Sequence, residues 1–542
     1  MDSRPERPLQ AAPLTNYARI ERMSEPWALN RSFAIVGTFV LAMVLGTWAA
    51  TGQVENIILL SVWFVAVMII VFVRDYWWSP ALVISSLYLT TFALDFRLTG
   101  MEVGVVILCL TFPVKMAMKT LRKAEPEMSP GVFYWALLGY VAVHAVVILF
   151  YNKIDGVPSL KNIVKSYYFC LTPLVFYGLL VRYCHTRTVR PTLMVLFFVT
   201  FFVVVASMIS ALAGISIASF TDLRISVDWL IPPGPLRVAG PNLFIASLAF
   251  WPNFRPGRDR FILGAAGVVG LVGTLFGSGR LSTATCVAAG VFFAAVRGKL
   301  WLAIPFLVGT LMISGLITAK PDLLYSLPEA VQRSLTPLNF SDQKTEVQGS
   351  LEGSDDWHRD LRNRSIDYWM MDTTSFWLGH GFKPWDQSIM TDEDMAEAQG
   401  EDRMVQIAMQ MGITENMFSA ITNIFGATGL LLYSLFLGNL AWTLFKGCRI
   451  APVGTDARAL CEFSLITLMA ALVFAPFLGG VPSLNLIYWQ LGILAARPLL
   501  AGPKPAPSTA VKELPAFARP ALAQHAAGPQ PHRFRPGRAT GI

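Results

Sequence analysis

Leu193-Met194-Val195-Leu196-Phe197-Phe198-Val199-Thr200-Phe201-Phe202-Val203-Val204-Val205-Ala206-Ser207-Met208-Ile209-Ser210-Ala211-Leu212-Ala213-Gly214 runs for 22 residues without a charge. A helix of that length rises about 33 Å, enough to cross the roughly 30 Å of hydrocarbon in a bilayer. A helix also satisfies its own backbone groups where water is absent. Runs of the same kind recur near 32–50, 57–73, 79–95, 101–118, 132–151, 164–182, 239–254, 261–278, 281–297, 300–318, 416–445, 459–478 and 482–498. With 54% hydrophobic and 14% charged residues, the chain is too apolar for an ordinary soluble domain. The expected fold class is all-α, a polytopic transmembrane helical bundle of about 12–14 spans.

The basic residues test that count. Arg74, the group Lys115/Lys119/Arg122/Lys123, the group Arg182/Arg187/Arg190, the group Arg255/Arg258/Arg260, the pair Arg297/Lys299 and the pair Lys446/Arg449 fall in alternate connections, together with both termini. The positive-inside rule makes those connections cytoplasmic. Lys153 and Lys161 depart from it on the outer side, weakening the rule locally or marking a site for an anion. The formal charge of +8 is spread over short connections instead of one stripe, so topology explains it better than nucleic acid. The first apolar run, near Ser32, reads as a retained span, since no convincing cleavage site follows it. None of the six cysteines falls in the long loop, and their placement suggests neither a disulfide framework nor a cysteine-ligated metal.

The organisation that follows is a cytoplasmic segment (1–31), a first bundle (32–318), a large outer loop (319–415), C-terminal helices (416–498) and a disordered cytoplasmic tail rich in Pro, Ala and basic residues (499–542). A second polar connection, Ile215 to Pro241, is expected as a lip over the bundle.

The chemistry-bearing residues sit on the outer side. Arg280 lies in Ser278-Gly279-Arg280-Leu281-Ser282, between two spans with almost nothing separating them. A cation there snorkels to the headgroups or meets an anionic ligand, and the flanking glycines favour the second reading. Arg237, directly before a span, either pairs with Asp222 or Asp228 or faces Arg280 across an anion. A diphosphate suits two guanidinium forks. Arg362 and Arg364 open a stretch with Tyr368, Trp369, Phe376 and Trp377 at spacings that fit an amphipathic helix; the arginines are further phosphate ligands or partners of Asp355, Asp356, Asp360 or Asp367. His380, between Gly379 and Gly381, is a hydrogen-bonded loop histidine or a proton-exchanging group. Glu415, at the mouth of an apolar span, is a general base raised in pKa by desolvation or a helix-capping carboxylate.

Three of these stretches, in order, resemble the O-antigen ligase and O-antigen polymerase superfamily of bacterial envelope glycosyltransferases. They are Arg237-Val238-Ala239-Gly240-Pro241-Asn242 before a span with the Ser278–Ser282 junction after it, the loop signature Arg364, Trp369 and Gly379-His380-Gly381-Phe382, and Glu415-Asn416 opening a helix that contains Gly426-Ala427-Thr428-Gly429. Glu415 stands where the family usually has histidine. The resemblance implies an inner-membrane enzyme with a periplasmic loop that transfers a glycan from an undecaprenyl-diphosphate carrier to a glycan or lipid acceptor. It implies no metal and no cofactor, with polysaccharide-assembly proteins as partners. In that reading Arg237, Arg280 and Arg364 hold the diphosphate, Glu415 is the base and His380 a second candidate. A lipid-linked oligosaccharide flippase and a non-catalytic assembly component remain the alternatives; a flippase would not need the long outer loop.

Overall fold

Most of the apolar runs become helices. The structure, a computed structural model, describes residues 75–86, 89–93, 96–117, 123–124, 126–154, 160–213, 225–227, 234–254, 256–339, 346–382, 416–477, 481–482 and 485–502. The runs at 32–50 and 57–73, the N-terminal segment, Glu415, Asp222, Asp228 and nearly all of the C-terminal tail lie outside the described residues.

In order, Ser79–Ser85 (α1) precedes the strands Leu89–Ala93 (β1) and Phe96–Thr99 (β2), followed by Gly100–Ala117 (α2), Val132–Ile154 (α3), Leu160–Tyr183 (α4) and Thr186–Ala213 (α5). The strand Ile225–Val227 (β3) leads to Leu236–Phe250 (α6), Arg258–Phe276 (α7), Arg280–Val296 (α8) and Ile304–Ala319 (α9). The polar loop carries Pro321–Tyr325 (α10), Glu329–Leu335 (α11), Glu346–Trp369 (α12) and Thr373–Leu378 (α13). Met417–Ile450 (α14), Asp456–Val473 (α15) and Asn485–Leu500 (α16) complete the described helices. Among the described residues, five segments, Val132–Phe150, Thr186–Leu212, Arg258–Phe276, Leu300–Ala319 and Met417–Ile450, are long and apolar enough to cross a membrane by length and composition. By contrast α6, with 15 residues, rises only about 22 Å.

Among the described residues the fold is all-helical apart from one small sheet, and the run at 79–95 does not form a single span. The helix in that run is only seven residues long and stops where the Ser86 hydroxyl donates back to Leu82 O at 2.9 Å. The chain then extends through Thr90 and Thr91, whose β-branching suits a strand. β1 pairs antiparallel with β2, Thr90 opposite Thr99 and Phe92 opposite Arg97, and with β3, Leu89 opposite Val227. The predicted lip thus contributes one strand to a three-stranded sheet of order β2-β1-β3.

The main core joins α3, α4, α14, α15 and α16 through Tyr134, Leu137, Tyr167, Phe425, Tyr433, Leu440, Leu465 and Trp489. α6 and α7 approach closely because glycines line their contact. A Cβ on Gly240 would sit 2.8 Å from the Thr274 nitrogen, and one on Gly270 2.8 Å from the Phe244 nitrogen. That contact seats the start of α6 against the end of α7.

The ends of several helices gather around charges. Arg187 pairs with Asp75, Arg190 with Asp456 at 3.2 Å, and Arg297 with the fully buried Glu462 at 2.8 Å. Arg458 Nε donates to the other Glu462 oxygen at 2.6 Å. These contacts bring the start of α5, the end of α8 and the start of α15 to one end of the bundle, next to Lys446 and Arg449 in the last turns of α14. At the same end the buried Arg497 of α16 donates to the Leu180 and Val181 carbonyls in the last turn of α4 and to Cys184 O just beyond it, where the helix dipole favours a cation.

Candidate functional site

At the far end of α8 from Arg297, the first stretch singled out in the sequence meets the second. Pro241 lies inside α6 and has no N–H, so the Arg237 carbonyl four residues earlier loses its helical partner. The Ser282 hydroxyl, in the first turn of α8, donates to that carbonyl at 2.8 Å. The Arg237 side chain reaches the same junction, with Nε donating to Gly277 O at 2.9 Å and Nη2 to Ser278 Oγ at 3.4 Å. Ser278 is held at φ 56°, the only positive-φ residue other than glycine among the described residues. A Cβ on Gly279 would lie 2.8 Å from Ser282 Oγ, so a side chain there would displace the hydroxyl that holds Arg237 O.

Arg280, half-buried, is the first residue of α8, so the two arginine-bearing stretches share one junction at a helix N-terminus. A helix N-terminus, whose first N–H groups have no partner within the helix and whose dipole end is positive, favours an anion. Arg237 is exposed and uses two of its five donors there, and among the described residues no carboxylate lies within salt-bridge distance of it. From the loop, α11 packs on both α7 and α8, with Ser334 Oγ donating to Leu275 O at 2.8 Å.

The second assembly is the Gly379-His380-Gly381 turn. α14 breaks at Gly426, whose φ of 65° and ψ of −171° are not helical. The break deprives the preceding carbonyls of their partners, and other segments satisfy them. His380 N donates to Asn423 O at 2.7 Å, Gly381 N to Ile424 O at 3.0 Å and Tyr140 OH to Phe425 O at 2.6 Å. From α3, His144 Nε2 meets Leu378 O at 2.8 Å, while its Nδ1 faces Tyr167 OH at 2.9 Å. Because a carbonyl can only accept, Nε2 carries the proton in this pair.

His380 is fixed on both nitrogens, Nδ1 by Ser375 Oγ at 3.2 Å and Nε2 by Tyr368 O at 3.0 Å. Its ring stacks on Tyr368 with centroids 3.9 Å apart. Asp372 caps α13 by accepting from the Ser375 hydroxyl at 2.6 Å and the Ser375 N–H at 2.9 Å. Those bonds, the hydroxyl's first, hold the Asp372 carboxyl below its usual range. His380 is thus built in as a hydrogen-bonded turn residue, the first of the two readings its sequence allowed.

The aromatic stretch corrects another expectation. Its residues lie on two helices folded back on each other, not on one. Trp369 of α12 stacks on Phe376 of α13 at 5.0 Å and donates to Phe376 O at 2.9 Å. On α12, Leu361, Ser365 and Trp369 form the buried stripe while Arg362 and Arg364 flank it half-buried. Ser365 Oγ accepts from Asn423 Nδ2 at 3.2 Å. Asn416 is the N-cap of α14, its side chain accepting from Ser419 N at 2.7 Å.

Arg237 and Arg280 therefore share one locality. Arg364 and His380 belong to the loop helices docked on α14, and α12 also packs on α11, which links the two assemblies. Ser282, Tyr140, His144, Ser365 and Asn423 were not singled out from sequence. Ser282 alone had a local signal, since it follows the Ser-Gly-Arg junction. Among the described residues no group of three or more His, Cys, Asp or Glu side chains is placed to hold a metal ion. No protein-family model matches the chain, and no characterised protein matches it in sequence.

Proposed function

We propose that the protein is a metal-independent inverting glycosyltransferase that polymerises or ligates surface polysaccharide from an undecaprenyl-diphosphate-linked donor. The observation that carries this reading is the meeting of the Arg237 and Arg280 stretches at the N-terminus of α8. Guanidinium forks match phosphate oxygens two at a time, and the helix end adds about half a positive charge. Such preorganised donors stabilise the charge that grows on a departing diphosphate.

In the proposed step, an acceptor hydroxyl oxygen attacks the anomeric carbon. The bond from that carbon to the diphosphate oxygen breaks, the diphosphate leaves with the electron pair, and the hydroxyl proton passes to Glu415. Arg364 contributes to diphosphate binding from the loop, and His380 orients the turn. The helix end marked by Arg187, Arg190, Arg297, Lys446 and Arg449 faces the cytoplasm of a bacterial inner membrane, and the loop helices face the periplasm.

The test is purified protein in lipid with an undecaprenyl-diphosphate oligosaccharide, following undecaprenyl diphosphate release for wild type and Arg280→Ala. Release that needs Arg280 and comes with longer glycans supports a polymerase, and release only on adding a separate acceptor supports a ligase. No release by folded wild type across a range of donors contradicts the proposal and favours a flippase or a non-catalytic assembly component.

A further inference from the structure

Two helices measure where the His380 turn sits along the bundle. On α14, Lys446 lies 20 residues after the break at Gly426, a rise of about 30 Å, close to the hydrocarbon thickness of a bilayer. With Lys446 at one headgroup level, Gly426 falls at the opposite boundary. α3 runs in step with α14, because Gly131 at its start lies level with Asn439, a Cβ there reaching Asn439 Nδ2 at 3.4 Å. From Asn439 to Gly426 the rise is about 20 Å, and from Val132 to His144 about 18 Å. The two agree, and His144 holds Leu378 O at 2.8 Å.

At that level the loop exposes apolar side chains. Met370 is 58% exposed, Met371 71%, Trp377 55% and Leu378 46%. Directly alongside, Val143 and Val147 of α3 are exposed on either side of the buried His144, within a segment apolar enough to span a membrane. The exposed face of α13 is thus continuous with a lipid-facing helix surface. Tryptophan prefers the headgroup level, where an apolar ring meets a wet boundary.

We infer that α13 and the Met370-Met371 corner form an interfacial anchor, with Trp377 and Leu378 seated at the acyl-headgroup boundary of the leaflet opposite Lys446. The occupant of this surface is bilayer lipid. The anchor fixes the depth of the His380 turn, and it stands whether or not the protein transfers a glycan.

The experiment attaches an environment-sensitive fluorophore to Trp377→Cys and, separately, to Met371→Cys in full-length protein in vesicles containing lipids brominated at shallow or deep acyl positions. Met371→Cys lies away from the Gly379 and Gly426 contact and so covers the case in which Trp377→Cys does not fold. Asn363→Cys on the exposed side of α12 serves as reference. The anchor gives blue-shifted emission relative to position 363, with stronger quenching by shallow than by deep bromines and protection from aqueous iodide. Iodide quenching equal to that at position 363 overturns it, and so does protection from both iodide and bromolipid, which would mean that protein covers the surface.

Discussion

Gly379 and Gly426 meet backbone to backbone: a Cβ on either one would lie 2.6 Å from the other's nitrogen. Both have positive φ, 74° and 65°. The loop and the broken helix are therefore one construction, in which the break in α14 presents carbonyls and the turn supplies N–H groups. Gly379→Ala and Gly426→Ala are each expected to cost at least about 1–3 kcal/mol in backbone strain, with overlap added. Gly438→Ala, on the same helix with nothing within 4 Å, is expected to be neutral or mildly stabilising, since alanine removes glycine's entropic cost. Thermal unfolding in detergent distinguishes the three.

Ser282 and Pro241 are coupled through one carbonyl. Ser282→Ala leaves Arg237 O without its donor, an expected loss of about 1 kcal/mol. Restoring an N–H with Pro241→Ala gives that carbonyl an intrahelical partner, so the serine substitution should cost less in that background. A double-mutant cycle by denaturation measures the difference, and strict additivity would contradict the link.

The loop cap is acid-sensitive in a direction set by Asp372. Its folded pKa is depressed by the bonds from Ser375, so its contribution is fully present above the ordinary carboxylate range. It is lost as pH falls below about 4 and through the folded value. Hydrogen exchange across residues 372–380 should quicken in acid for wild type, and Asp372→Asn should flatten that dependence.

Glu462 is buried between Arg297 and Arg458. Glu462→Gln leaves two guanidinium groups without their counter-charge, and such a break is expected to cost about 3–5 kcal/mol. Replacing Arg458 alone keeps one pair and should cost less. Thermal unfolding of the two variants ranks them.

Length and charge made most of the helices legible. Leu193–Gly214 lies almost wholly within α5, and the Gly-x-Gly turn and the Gly426–Gly429 segment, read separately, turn out to touch. What local pattern could not carry is the partnering across the chain. Pro241 signals a freed carbonyl, but not that Ser282 takes it. His144 sits in an apolar run with no neighbouring cue, and its role exists only because Leu378 O arrives from the loop. Residues 79–95 failed as a span because a two-serine stop and two adjacent threonines outweighed their mean apolarity. Glu462 lay hidden in a span because one of the two arginines that neutralise it, Arg297, comes from another helix.

The central claim is that the Arg237 and Arg280 junction binds a lipid-linked diphosphate. Its most direct test is binding of undecaprenyl diphosphate, against undecaprenol as control, to wild type, Arg237→Ala and Arg280→Ala in nanodiscs. Wild type is expected to prefer the diphosphate, and each substitution to remove most of that preference while the variant stays folded. Equal diphosphate affinity in all three proteins would contradict it.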